Sequence, residues 1–247
     1  MTDEAHQPTP QPVGDLGTAS SQTRVQFVGA GPGDPNLLTL GAVDAINRAQ
    51  VIVISCAEYR MLLGSDFLEL RPDVRIVLAG DADEEAVALP SQPGGAPTPV
   101  DVDEHCTDLI ATVIEAASQG LEVVRLVSGD PFLDGDIGAE AAAVARADHD
   151  VDVIPGVTGM TAVPEYAGLI LHGHDVQLIG DAACQRDIAG HGPDWSDQGL
   201  IVVHTSAGKL KEVVKHAVAS GRSEDEPAAL ICHGATTQQI THTVTLG

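Results

Sequence analysis

Val25-Gln26-Phe27-Val28-Gly29-Ala30-Gly31-Pro32-Gly33-Asp34-Pro35 runs an apolar strand directly into three glycines, an acid and a proline. Glycine permits positive φ and leaves bare backbone open to a ligand, while proline stiffens the turn. A dinucleotide fingerprint, G-x-G-x-x-G, needs glycine where Asp34 stands, and a P-loop needs a Lys-Ser/Thr pair that does not follow. Two readings remain: a plain strand-to-helix connection, or a ligand loop of another kind. Two later stretches bear on the choice: Arg125-Leu126-Val127-Ser128-Gly129-Asp130-Pro131-Phe132 and Val153-Ile154-Pro155-Gly156-Val157-Thr158. Each is again an apolar strand ending in a glycine turn.

Outward from the first turn, strands and helices alternate. Thr39 can cap a helix over 40–48 that turns Ala42, Val43 and Ile46 inward. Residues 51–54 are all aliphatic and read as a buried parallel strand; 59–70 reads as a helix weakened at Gly64, and 74–78 as a third strand. Over 80–103, Asp81, Asp83, Glu84 and Glu85 precede Pro90, Pro93, Gly94, Gly95, Pro97 and Pro99, the composition of a solvated loop. A helix over 108–118 closes at Gly120, and a strand over 121–127 delivers Ser128-Gly129-Asp130-Pro131. This order predicts right-handed crossovers and a mostly parallel sheet. Ligands gather beyond the C-terminal strand ends of such sheets, where both glycine turns fall. The remainder reads as helices over 137–147, 158–166 and 207–220, and strands over 151–154, 176–179, 200–204, 228–232 and 240–246. The expected organisation is a disordered tail over 1–23, an N-terminal α/β domain over 24–133 and a C-terminal α/β domain over 134–247. The end at Gly247, directly after a strand, reads as a truncation or as one part of a longer polypeptide.

Composition narrows the function. Hydrophobic residues are 43% of the 247 but aromatics only 2%, so the core is built from Val, Ile, Leu and Ala, as suits a helix-covered parallel sheet. The net charge of −24 argues against nucleic acid as a partner. No apolar run is long enough to span a membrane, and the polar, acidic N-terminus does not read as a secretory signal, so the expected location is cytoplasmic. Cys56, Cys106, Cys184 and Cys232 lie far apart without metal-ligand spacing and read as ordinary thiols. His172, His174 and Asp175 share one loop with no distant fourth ligand, so no metal is expected.

Val28-Gly29-Ala30-Gly31-Pro32-Gly33-Asp34 with Leu37-Leu38-Thr39-Leu40, then the stretches at Val124–Phe132 and Val153–Thr158, then Tyr166-Ala167-Gly168, resemble the tetrapyrrole methylase family in order and spacing. The resemblance covers Val25 to Gly247. Within the family the chain is similar to members that methylate uroporphyrinogen III, and Ala162–Leu169 resembles actinobacterial versions fused to a uroporphyrinogen-III synthase domain. The resemblance implies two α/β domains with mostly parallel or mixed sheets, and S-adenosylmethionine (SAM) folded into the cleft between them. It further implies S-adenosylhomocysteine as product, a tetrapyrrole substrate and a homodimer. Carried over by position, Pro32 lies under the cofactor, and Ser128, Gly129 and Asp130 meet its methionine end through backbone and carboxylate. Leu133, Thr158 and Gly159 line the pocket, Thr205 stands where the family often has Met, and Gly234 approaches the adenine. A cationic sulfonium and amine suit an acid such as Asp130; the alternative is a turn residue before Pro131.

Two departures from the family matter. Its members often carry an Asp after the second strand, proposed as a base, where this chain has Ser55; a Lys after the third strand aligns near Gly80. Unactivated serine is a poor base, with Glu58 and Tyr59 as nearby substitutes. Three functions therefore stand open: C-methylation of uroporphyrinogen III to precorrin-2 for sirohaem or cobalamin, methylation of a later precorrin, or a degenerate domain acting as scaffold for a fused synthase. For a polycarboxylate substrate, Arg60, Arg71, Arg75 and Arg186 are the candidate local cations.

Overall fold

Strands β1 (Arg24–Gly29), β2 (Val51–Ile54), β3 (Arg75–Ala79), β4 (Glu104–Cys106), β5 (Val123–Val127) and β6 (Asp150–Ile154) form one sheet in the order β4-β3-β2-β5-β1-β6. Every pairing in it is parallel. The computed structural model describes residues 24–55, 59–79, 104–106, 108–135, 137–180, 195 and 199–247. The strand order puts β1 between β5 and β6, so the turns that follow these three strands emerge side by side at one end of the sheet.

Side chains alternate across the strands, and each face has its own core. Val25, Phe27, Val51, Val53, Val77, Val123 and Val127 face helices α3 (Leu109–Ser118) and α4 (Gly138–Arg146). Val28, Ile52, Ile54, Ile76, Val124 and Leu126 face α1 (Leu40–Arg48) and α2 (Tyr59–Leu63). All residues of β2 and β5 are buried, as in a parallel sheet covered on both sides. Arg125, in the middle of β5, is only 5% exposed; its guanidinium meets Glu140 of α4 at 3.0 Å and also donates to the Leu126 carbonyl. Such a pair is tolerated in an aliphatic core because charge and hydrogen bonds are both matched.

Helix ends follow their caps. Thr39 accepts from Ala42 N–H at 3.1 Å and Asp108 from Ala111 N–H at 2.9 Å, while Gly120 takes φ +80° after α3. Beyond the sheet lie α5 (Gly159–Tyr166), the parallel pair β7 (Val176–Ile179) and β8 (Leu200–Val203), helix α6 (Leu210–Ala219) and the antiparallel pair β9 (Pro227–Cys232) and β10 (Ile240–Thr245). A small core of Ile179, Trp195, Val213 and Ala217 serves this part, with the Trp195 ring edge-on to His216 at 4.7 Å.

One expectation changes, and the structure adds two features. The helix expected over 59–70 stops at Leu63, because Gly64 and the turn at Ser65 end it. Strand β4 was unforeseen, since three residues at the end of an acidic, proline-rich stretch carry no strand signal. Strand β6 pairs with β1 and α4 packs on the same sheet, so hydrogen-bonded and packed structure continues past residue 133 to Ile154. The expected tail over 1–23, the loop segment 80–103, Cys56, Glu58, Gly80, Cys184 and Arg186 lie outside the described residues.

Candidate active site

At the C-terminal end of the sheet the glycine turns lock onto one another. Ala30 N–H donates to Val127 O at 2.7 Å; Gly31 and Gly129 then exchange backbone bonds of 3.3 and 2.9 Å, an isolated antiparallel bridge. Gly31 has φ +70° and Gly129 φ +57°, where a side chain is disfavoured. Gly156, after β6, completes the contact: a Cβ there would lie 2.8 Å from Gly29 Cα and nearer still to the Gly129 carbonyl oxygen. Three separate turns meet backbone to backbone because none of them carries a side chain at the crossing.

Two carboxylates bind this crossing from above. Asp130 Oδ1 accepts from Phe132 N–H at 3.0 Å and Leu133 N–H at 3.1 Å, and Oδ2 accepts from Gly156 N–H at 3.4 Å. Asp134 Oδ2 accepts from Asp130 N–H at 2.7 Å, and its Oδ1 accepts from the Thr158 hydroxyl at 2.9 Å. Thr158 caps α5 as well, accepting from Met160 N–H at 3.2 Å. On the α1 side the Thr39 hydroxyl donates to Pro155 O at 3.3 Å. The turns after β1, β5 and β6 and the start of α5 therefore form one hydrogen-bonded platform.

The rim is closed by contacts distant in sequence. A Cβ on Gly159 would sit 3.6 Å from Pro32 Cβ, and one on Gly234 would overlap the Val163 side chain. A Cβ on Gly33 would reach Thr236 Cγ2 at 3.0 Å, and one on Gly180 would reach Met160 Cε at 3.1 Å and Leu133 O at 3.8 Å. In the β9–β10 turn His233 and Ala235 hold φ +50° and +55°, strain retained beside Gly234. The Tyr166 hydroxyl at the end of α5 donates to Asp34 Oδ2 at 2.8 Å, while Asp34 Oδ1 accepts from Asn36. Burial opposes ionisation of Asp34, but the hydrogen bonds from Asn36 and Tyr166 outweigh it and hold the carboxyl below its ordinary range. Donation to Asp34 raises the Tyr166 pKa, with burial adding to it.

The structure brings together Pro32, Ser128, Gly129, Asp130, Leu133, Thr158, Gly159 and Gly234 of the residues expected from the sequence. Ser128 is exposed, as are Phe132 (57%) and Leu133 (45%), which gives the platform a polar point and an apolar shelf. Thr205 follows β8, half-buried and already engaged in an interaction. Ser55 is exposed just past β2, on the same end of the sheet but beside α2 rather than within the platform. Tyr59 is half-buried at the start of α2, packed against the core that α1 and α2 share and engaged in a further interaction. Among the described residues no group of His, Cys, Asp and Glu is placed to hold a metal. The platform residues unforeseen from sequence are Asp134, which ties Thr158 to the β5 turn, Val163 under Gly234, and the Asp34–Tyr166 bridge.

Exposed apolar side chains beside carboxylates, over bare backbone at the carboxyl end of a parallel sheet, stand where sheets of this kind take up small ligands. The chain belongs to the Tetrapyrrole (Corrin/Porphyrin) Methylases, whose family model matches residues 24–247. It is 33% identical over 230 residues to a uroporphyrinogen-III C-methyltransferase of Sinorhizobium sp, covering 90% of this chain and 75% of that one. It is 31% identical over 238 residues to siroheme synthase 1 of Serratia proteamaculans, covering 93% of this chain but 45% of that protein. The chain thus spans less than half of that siroheme synthase. Among solved structures, the uroporphyrin-III C-methyl transferase of Thermus thermophilus complexed with S-adenyl homocysteine superposes with a TM-score of 0.62 at 26% identity, covering 90% of this chain and 88% of that one.

Proposed function

We propose that the chain is a SAM-dependent C-methyltransferase that converts uroporphyrinogen III to precorrin-2, on the route to sirohaem or cobalamin. The observation that carries this reading is the platform: three glycine turns and the α5 N-terminus, joined by Asp130 and Asp134, in a chain 33% identical to a methyltransferase of that name. Bound SAM supplies an electrophilic methyl group on a sulfonium. Pro32, Gly159 and Gly234 shape the cradle, Ser128 offers a hydroxyl to the methionine end, and Asp130 and Asp34 supply the negative potential a sulfonium prefers. Leu133 and Phe132 keep water from that side. The main task of the protein is to hold methyl donor and ring carbon in line at near-attack distance. A calorimetric titration with SAM or S-adenosylhomocysteine, followed by turnover on uroporphyrinogen III, tests the reading; no heat with either ligand overturns it.

The scaffold alternative draws on two departures in the sequence: no carboxylate stands at Ser55 and no lysine near Gly80. Under the active-enzyme reading Ser55→Asp raises kcat or leaves it unchanged, because it restores a base at an exposed position beside the cleft. Loss of turnover with SAM binding preserved means that the proton leaves by another route.

Charge gives a second test. The chain carries −24 overall and the substrate is a polycarboxylate, so their long-range encounter is repulsive. Salt screens distant charges over a Debye length of about 10 Å at 0.1 M, and contact pairs less. The expected result is that kcat/KM rises with moderate salt; a steep fall between low and physiological ionic strength contradicts it.

We also take the molecule to act in the cytoplasm as a homodimer, associated with or fused to a uroporphyrinogen-III synthase. In support, no helix among the described residues is long and apolar enough to cross a membrane, and all six residues of β10 are exposed. The sheet of β1–β6 argues for placing the division between the two α/β domains after β6 rather than at residue 133.

A further inference from the structure

A chain this acidic that binds a polycarboxylate needs a cation at the site end of the sheet, and the described arginines can be sorted by where they lie. Arg24, Arg48, Arg71, Arg125 and Arg222 are paired with Asp152, Asp44, Asp73, Glu140 and Glu226. Arg71 and Arg75 lie at the amino end of β3, where Arg75 N–H donates to Gln50 O, so both are at the opposite end of the sheet from the glycine turns. This corrects the expectation that they lie near the cleft. Arg146 ends α4, just before β6 begins at that same far end. Lys211 and Lys215 are exposed on α6, where a hydrated ammonium needs no partner.

Arg60 differs from all of these. It stands in the first turn of α2, directly after the carboxyl end of β2. From there the chain descends: Glu69 N–H is held by Asn47 near the far end of α1. Leu62 and Leu63 anchor α2 in the core, which fixes the helix that carries Arg60. The Arg60 Nε is buried without a hydrogen-bond partner, and no carboxylate among the described residues pairs with its guanidinium. A guanidinium held against the core with no carboxylate to match it is costly, and its two terminal nitrogens, which unlike Nε are not closed off from solvent, can seat an incoming carboxylate in bidentate geometry.

We infer that Arg60 is a specificity-determining residue that binds a carboxylate side chain of the porphyrinogen, an acetate or a propionate; the inference rests on the substrate reading above. The methionine carboxylate of SAM has the same chemistry. The observations favour the substrate because α2 flanks β2, whereas the platform gathers over β5, β1 and β6 on the other side of β2.

The test compares wild type with Arg60→Gln and Arg60→Lys. Uroporphyrin III, the stable oxidised macrocycle, is titrated by its fluorescence, uroporphyrinogen III is turned over, and SAM is titrated by calorimetry. For Arg60→Gln the macrocycle Kd and the KM rise about tenfold to a hundredfold, kcat stays within about twofold, and the SAM Kd is unchanged. Arg60→Lys keeps charge without the fork and falls between the two. The unchanged SAM titration also reports an intact fold; if Gln disturbs packing, Arg60→Met, which keeps the aliphatic stem, replaces it. A wild type that binds no uroporphyrin III overturns the substrate reading, and this inference with it. Equal macrocycle binding by wild type and Arg60→Gln overturns the inference alone, and so does a loss confined to SAM.

Discussion

Gly156→Ala is expected to weaken SAM binding at least about a hundredfold and to lower Tm by about 6–12 °C, the equivalent of roughly 3 kcal/mol of overpacking. The added methyl has nowhere to go. Its Cβ would lie 2.8 Å from Gly29 Cα and 2.9 Å from Gly29 C, and closer again to the Gly129 carbonyl oxygen. These are backbone atoms of β1 and of the β5 turn, and a backbone atom cannot swing aside as a side chain can. Relief requires the β6 turn to lift, which breaks the contact from Gly156 N–H to Asp130 and shifts the start of α5 through Thr158. Gly208→Ala is the control, since a Cβ there meets nothing within 4 Å; it should leave Tm within about 1 °C. Calorimetry with S-adenosylhomocysteine and a thermal melt check both outcomes. Wild-type affinity and Tm in Gly156→Ala would mean that the three turns are not in backbone contact.

The sheet is legible in the sequence where burial is two-sided. Val51–Ile54 has no polar residue, and helices α1 and α3 carry Thr39 and Asp108 at their caps, so their boundaries are legible to within one residue. Strand β6 is harder to place. Its residues Asp150-Val151-Asp152-Val153-Ile154 identify a strand, but local pattern cannot say that it pairs with β1, 126 residues away at the Gln26–Asp152 contact. Arg125 illustrates the converse: a charge in the middle of β5 argues against burial until Glu140 arrives from α4 to match it. Partners that decide such cases are set by topology, which period and propensity do not encode.

Much of the site is legible for a different reason. Glycine at a strand end records a backbone requirement, and Gly31, Gly129 and Gly156 each meet one. The family pattern then names the residues around them. It does not name their hydrogen-bond partners: nothing in the spacing from Asp130 to Asp134 says that the second acid holds the backbone of the first while binding Thr158 across the turn. Nor does the sequence separate Arg60 from Arg71 and Arg75, because what separates them is which end of the sheet each one occupies.

Asp130 carries the last prediction, and here the geometry changes what the substitution means. The family resemblance implies that the carboxylate meets the cationic end of SAM, with a turn residue before Pro131 as the alternative; in the structure its oxygens already accept from Phe132, Leu133 and Gly156 N–H groups. Those bonds hold the β5 turn and fasten it to the β6 turn, beside the exposed Ser128 and Leu133. Asp130→Ala removes all three bonds and should weaken SAM binding by about 1.5–3 kcal/mol, roughly tenfold to more than a hundredfold, with some loss of stability. Asp130→Asn separates the two roles. Its amide oxygen still accepts from Phe132 and Leu133, while only the long 3.4 Å contact to Gly156 and the negative charge are lost. If holding the turn is what matters, Asn keeps affinity within about tenfold of wild type while Ala does not. Titration of both variants with SAM, each checked by circular dichroism and a melt, decides it. Asn as damaging as Ala in a well-folded protein returns the charge itself to the centre of the site.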